Sequence, residues 1–178
     1  LVFQASLSHL QEGWCRGTSK LNRISIMPNN PNYMNVDNSF IVSKTDPYCT
    51  DYTNLIFVNR SIKKVIIPSF ITQIKSYAFS ECSIEKVFIP SHIKKIYEGS
   101  FYKCKFLQQV EIPPDSELEI IEKLSFFETA IENFFVPPSF SLLGENWCNK
   151  STKITTSMKP PIENGSQMHN ILIKDGKC

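Results

Sequence analysis

Few side chains in this sequence could do covalent or metal chemistry: six cysteines, and three histidines at His9, His92 and His169. Zinc needs several thiolate or imidazole ligands brought together, usually from closely spaced pairs, and no Cys-x-x-Cys pair occurs. A catalytic thiol needs a nearby base to hold it as thiolate, and no histidine stands at a spacing that would bring it beside a cysteine. Glu117, Glu119 and Glu122 offer carboxylates for acid–base work, but they read as solvated surface. Neither a Gly-rich phosphate loop, a G-x-S-x-G elbow nor an H-E-x-x-H run is present. The sequence therefore assigns no catalytic, cofactor-binding or metal-binding residue, and the expectation is a protein that is not an enzyme.

Most of the cysteines belong to a repeating pattern. Ile67-Pro68, Ile89-Pro90, Ile112-Pro113 and Val136-Pro137 place prolines 22, 23 and 24 residues apart, a period at which chains stack into solenoids. Two apolar residues three apart follow each proline: Ile71 and Ile74, Ile93 and Ile96, Leu118 and Ile121, Phe140 and Leu143. An aromatic comes next, at Phe79, Phe101, Phe126 and Trp147. Before the proline the chain alternates as a half-buried strand does. In "SIEKVFIP", Ile84, Val87 and Ile89 point inward while Lys86 and Phe88 point away. Proline ends the strand because it has no amide hydrogen for a ladder. One unit buries too few apolar side chains to order its own backbone, so neighbouring units must stack.

This pattern, I-x-I-P, then apolar-x-x-Ile, then Ala/Ser-Phe-x-x-Cys, resembles the BspA-like leucine-rich repeats of bacterial and protist surface proteins. The resemblance covers about residues 61–148. It implies a leucine-rich-repeat solenoid, β-rich with short helical or irregular connections, whose parallel strand stack is interrupted by hairpin-like insertions. It also implies a fragment of a longer array at the cell surface or secreted, used in adhesion or in recognising a host macromolecule. The family's usual glycine after the isoleucine is replaced by Lys75, Tyr97 and Glu122, and only the fourth unit keeps one, Gly144.

A longer repeat lies over the short one. "LSHLQEGWCRGTSKL" (residues 7–21) and "FSLLGENWCNKSTKI" (140–154) align without a gap, matching Leu7, Leu10, Trp14 and Cys15 to Phe140, Leu143, Trp147 and Cys148. Residues 1–28 thus read as the end of a preceding repeat with its following strand. Residues 29–60 read as a hairpin-like insertion with apolar runs at Phe40–Val42 and Leu55–Val58, and 61–148 as four consecutive repeats. Residues 149–178 read as a weak repeat and a truncated insertion, with fraying expected after about residue 155. All of it is expected to form one domain. The opening "LVFQASLSHL" lacks the basic and apolar regions of a signal peptide, so the chain reads as an internal piece.

Cys82 and Cys104 occupy the same repeat position one unit apart. Stacked rungs about 5 Å apart would permit a disulfide, but parallel side chains favour free, buried thiols. Thr129 fills the corresponding place in the third unit. Cys15 and Cys148 read as packing residues beside Trp14 and Trp147, while Cys49 and Cys178 lie in insertions where they could pair. His92 reads as a solvated corner residue at a position held by Phe70 one unit earlier.

Composition sets the range of partners. A net charge of +2, with no run of Lys or Arg longer than two, gives no surface for tracking phosphates, so nucleic acid is not expected. No apolar stretch approaches the roughly 20 residues that span a bilayer. Three sequons begin at Asn59, Asn149 and Asn164. The outward column of the strands is the most informative surface. Two residues before each proline stand Ile66, Phe88, Glu111 and Phe135, and four before stand Lys64, Lys86, Gln109 and Asn133. Large apolar side chains where a strand faces solvent mark a contact site, or else a place that a flanking insertion covers. These eight residues are the candidate partner-binding set, with a protein or glycan on another cell or matrix as the expected partner. The alternative is a structural spacer that self-associates through uncapped repeat ends and has no dedicated ligand.

Overall fold

Each Ile-Pro unit folds into one coil carrying two short strands, one on either side of the proline. The computed structural model describes residues 1–156. Its elements are β1 (Val2–Phe3), β2 (Ser25–Ile26), β3 (Tyr33–Val36), β4 (Phe40–Ser43), β5 (Asn54–Val58), β6 (Gln73–Ile74) and β7 (Lys86–Phe88). They continue with β8 (Lys95–Ile96), β9 (Gln109–Glu111), β10 (Ile120–Ile121), β11 (Asn133–Val136), β12 (Leu142–Leu143) and β13 (Lys153–Thr156). The remainder of the weak last repeat, the truncated insertion and the expected fraying lie outside the described residues.

The strands after the prolines form one sheet in the order β12-β10-β8-β6-β5-β4-β3. It is parallel from β12 to β5, and its register aligns like residues: Leu55 with Ile74, Ile74 with Ile96, Ile96 with Ile121, and Ile121 with Leu143. The strands before the prolines make a second parallel ladder, broken into β7-β9 and β11-β13, with Lys64 bridged to Lys86 at its start. Ile84, Val87 and Ile89 are fully buried between the two ladders, while Lys86 and Phe88 face out.

The aromatic file is the internal spine. Phe79 and Phe101 stack with ring centroids 4.7 Å apart, and Phe101 and Phe126 with centroids 4.9 Å apart at an interplanar angle of only 4°. These separations equal the spacing of hydrogen-bonded strands, so each ring is carried by its own rung. Trp147 ends the file edge-on, 6.3 Å from Phe126 and 4.9 Å from Phe134.

Of the short helical or irregular connections expected from the sequence, the chain uses irregular tight turns; among the described residues no helix occurs. Each coil enters the left-handed region on both sides of its phenylalanine, at Tyr77 and Glu81, Gly99 and Lys103, and Leu124 and Glu128. That geometry ends a helical turn and aims the amides at the next rung. Thus Phe79 N–H donates to Ser100 O at 2.8 Å, and Phe101 N–H to Ser125 O at 2.8 Å. The Ala/Ser before the phenylalanine also has a use: the hydroxyls of Ser100 and Ser125 donate to Tyr97 O (2.7 Å) and Glu122 O (2.6 Å).

The left-handed residues fall two places beyond the position where the family usually has glycine, so Lys75, Tyr97 and Glu122 pose no conformational problem. Gly144 is retained for space, because a Cβ there would fall on the backbone of Glu122 and Lys123.

The insertion is a three-stranded antiparallel meander, β3-β4-β5, whose last strand pairs parallel with β6 and so joins the stack. Both of its faces are covered. Phe40, Val42, Leu55 and Val58 pack on the solenoid core, while Tyr33, Ile41, Ile56 and Phe57 pack on Phe3, Cys15 and Ile24 of the N-terminal coil. Arg60, only 2% exposed, fastens the two sides together. Its guanidinium donates to Ala78 O at 2.8 Å and Cys15 O at 3.2 Å and lies 4.5 Å from the Phe57 ring centroid.

Candidate interaction face

Most of the groups that could have done chemistry are built into the packing; Cys49, in the insertion, is free and exposed. Cys15, Cys82 and Cys104 are free and buried, so the bridge between Cys82 and Cys104 is not formed. Burial pushes Cys82 up to about 11 and raises Cys15 and Cys104 as well, which is the opposite of what a nucleophile needs. Cys104 donates to Phe79 O at 2.9 Å, and Thr129, one rung on, donates to Phe126 O at 2.9 Å. His92 is half-buried rather than solvated, its Nε2 lying 2.7 Å from Ile71 O of the preceding rung. Asn149 uses its amide to bind Thr129 O at 2.6 Å and to accept from Glu128 N at 2.8 Å.

A cleft of about 340 Å³ lies where the N-terminal coil meets the meander, over Trp14, Tyr33 and Ile56. Three of its polar groups are engaged by neighbours. Glu12 accepts from Ser76 Oγ at 2.5 Å, Lys75 lies 4.3 Å from the Tyr97 ring, and Lys44 lies 5.4 Å from that of Tyr52. Among the described residues no group of three or more His, Cys, Asp or Glu gathers as a metal site, and no helix is long and apolar enough to cross a membrane.

The two outer faces differ. On the sheet after the prolines the charges pair with one another, Lys95 with Glu122 at 2.6 Å and Lys123 with Glu98 at 3.3 Å, and Tyr97 is held between Lys75 and Lys95. The charges of that face are thus met within the chain, although Leu142 on β12 is 57% exposed beside a groove of about 480 Å³. On the face before the prolines, Ile66 is 85% and Phe88 47% exposed, and no described segment covers them. Beside them runs a groove of about 420 Å³ whose lining includes Lys63, Lys64, Glu85, Lys86, Phe88 and Gln109. Lys86 is bound to Glu111 at 2.6 Å, while Lys63 and Lys64 have no carboxylate partner within 4 Å among the described residues.

Of the eight sequence-derived candidates, Lys64, Ile66, Lys86, Phe88, Gln109, Glu111 and Asn133 are exposed, and Phe135 is half-buried. The first six share one continuous stretch of ladder. Asn133 and Phe135 sit on β11, which pairs with β13 and makes no ladder with β9. Lys63 was missed, although it immediately precedes Lys64. Phe106, 60% exposed, was missed too; it stands one rung beyond Ser83 at a corner outside the strand alternation.

Parallel coils, a filed interior and two strand ladders define a β-solenoid of the leucine-rich-repeat class. The model of the BspA-type leucine-rich-repeat region matches residues 48–155 in six copies, and the chain belongs to that family. The fold is similar to the crystal structure of the pneumococcal vaccine antigen PcpA, with 22% identity and a TM-score of 0.75 over 87% of this chain and 38% of that one. It is also similar to a leucine-rich-repeat protein of Eubacterium ventriosum, with 22% identity and a TM-score of 0.67 over 87% of this chain and 41% of that one. The chain therefore spans about two fifths of the length of these structures. No curated protein matches it.

Proposed function

We propose that this chain is a non-enzymatic protein-interaction module, working at a cell surface or after secretion, that recognises a macromolecule of another cell or matrix. The contact runs through the face before the prolines. The observation that carries this reading is the open Ile66–Phe88 pair, set against a second face whose charges are already paired. Covering Ile66 gains about 1.5–3 kcal/mol and covering Phe88, already half-buried, about half as much, which folding leaves uncollected and a partner can use. Membership in a family of repeat solenoids supports an interaction role, and the description of the similar pneumococcal protein as a vaccine antigen supports exposure at the surface. A spacer with no ligand would have no use for an apolar pair placed in water.

The test is the double variant Ile66→Ser, Phe88→Ser. Its unfolding free energy is expected to stay within about 0.5 kcal/mol of wild type, as for exposed positions. Binding of the chain to intact cells or to immobilised matrix proteins is expected to be lost. A large fall in stability would mean that the pair is covered internally, and retained binding would put the contact elsewhere.

A further inference from the structure

The lysines on this face are arranged against the needs of folding. Lys64 and Lys86 are direct cross-strand partners in the parallel bridge, and like charges so placed repel. Lys63 adds a third ammonium to the same groove. Only Lys86 is relieved, by Glu111 on the next rung. Elsewhere along the coils four lysines find carboxylates, at Lys94–Glu117, Lys95–Glu122, Lys103–Glu128 and Lys123–Glu98. The pair stands beside the two exposed apolar side chains, and what sets it apart is the like-charged Lys64–Lys86 bridge, since Lys75, Lys105 and Lys153 on other rungs also have no carboxylate within 4 Å among the described residues.

We infer that the groove takes an acidic protein segment, with its carboxylates over Lys63 and Lys64 and its apolar side chains over Ile66 and Phe88. This rests on the interaction reading above and adds the chemical class of the partner. The occupant is a peptide rather than a uniform polyanion because the positive charge is local. Glu85 lines the same groove and Glu111 stands at its next rung, so a nucleic acid or sulphated glycan running along the face meets like charge within a rung or two of the lysines. A segment with acidic groups at one end and apolar groups at the other fits both halves of the groove.

The test uses the full chain with three fluorescent probes: a peptide with glutamates in one half and leucines in the other, the same peptide with lysines for the glutamates, and a heparin oligosaccharide. Wild type is expected to bind the glutamate peptide and not the lysine peptide, more weakly as salt rises. K63E/K64E is expected to raise its Kd at least about tenfold, Phe88→Ser to weaken it comparably, and Lys20→Glu on the N-terminal coil to leave it unchanged. No binding of the glutamate peptide overturns the inference, as does tighter binding of heparin. If Phe88→Ser weakens binding while K63E/K64E does not, the acidic class is wrong and the face stands. If neither substitution weakens it, both readings fall.

Discussion

Replacing Phe101 with alanine is expected to destabilise the chain by about 3–5 kcal/mol, the range for emptying a fully buried aromatic site. Phe101 is the middle ring of the file, stacked on Phe79 at 4.7 Å and Phe126 at 4.9 Å, so its loss strips a contact from each neighbour as well. The surroundings have little freedom to collapse, because each ring is fixed by a corner whose amides are bonded to the next rung. A second signature follows from the architecture. In a stack held by nearest-neighbour contacts, a weakened interface uncouples the two sides. Urea unfolding of the variant should therefore broaden as well as shift. A cost below about 1 kcal/mol with an unchanged slope would mean that the file does not carry the core.

Arg60→Ala is expected to cost a further large amount, about 3 kcal/mol, although the guanidinium has no ion pair within 4 Å among the described residues. Its Nη groups donate to the carbonyls of Ala78 and Cys15, on opposite sides of the meander. Each carbonyl keeps a second donor, Val58 N–H and Thr18 Oγ1, so the cost of truncation is the loss of the charge-assisted bonds across the meander and of the packing on Phe57. Lysine should rescue little, since one ammonium cannot reproduce the planar fork that reaches both sides while lying on Phe57. Limited proteolysis separates this from a general loss of stability: cleavage within residues 1–28 should accelerate first. Uniform acceleration along the chain would contradict the role of Arg60 as the fastener of the N-terminal coil.

The coil period was legible because proline cannot extend a ladder and therefore marks every corner, and because the apolar spacing repeats around it. The stacking of Phe79, Phe101 and Phe126 follows from that period alone. The third meander strand, Tyr33–Val36, was not legible, since it lies in an Asn- and Pro-rich stretch whose local signals are those of a turn. Nor was Arg60, because a buried arginine bonded to carbonyls leaves no partner residue to recognise in a sequence. On the outer face, alternation picked out Ile66 and Phe88 correctly as exposed. It could not tell that the hydrogen-bonded ladder breaks between β9 and β11, although the two strands still lie side by side.

The claim on which the account depends is that the face before the prolines makes the contact. Lysine acetylation read by mass spectrometry tests it directly, comparing the chain free in solution with the chain bound to cells or matrix. Lys63, Lys64 and Lys86 should become protected severalfold, while Lys94, Lys95 and Lys123 react as in the free chain. Protection of Lys94, Lys95 and Lys123 with Lys63, Lys64 and Lys86 still reactive would contradict it.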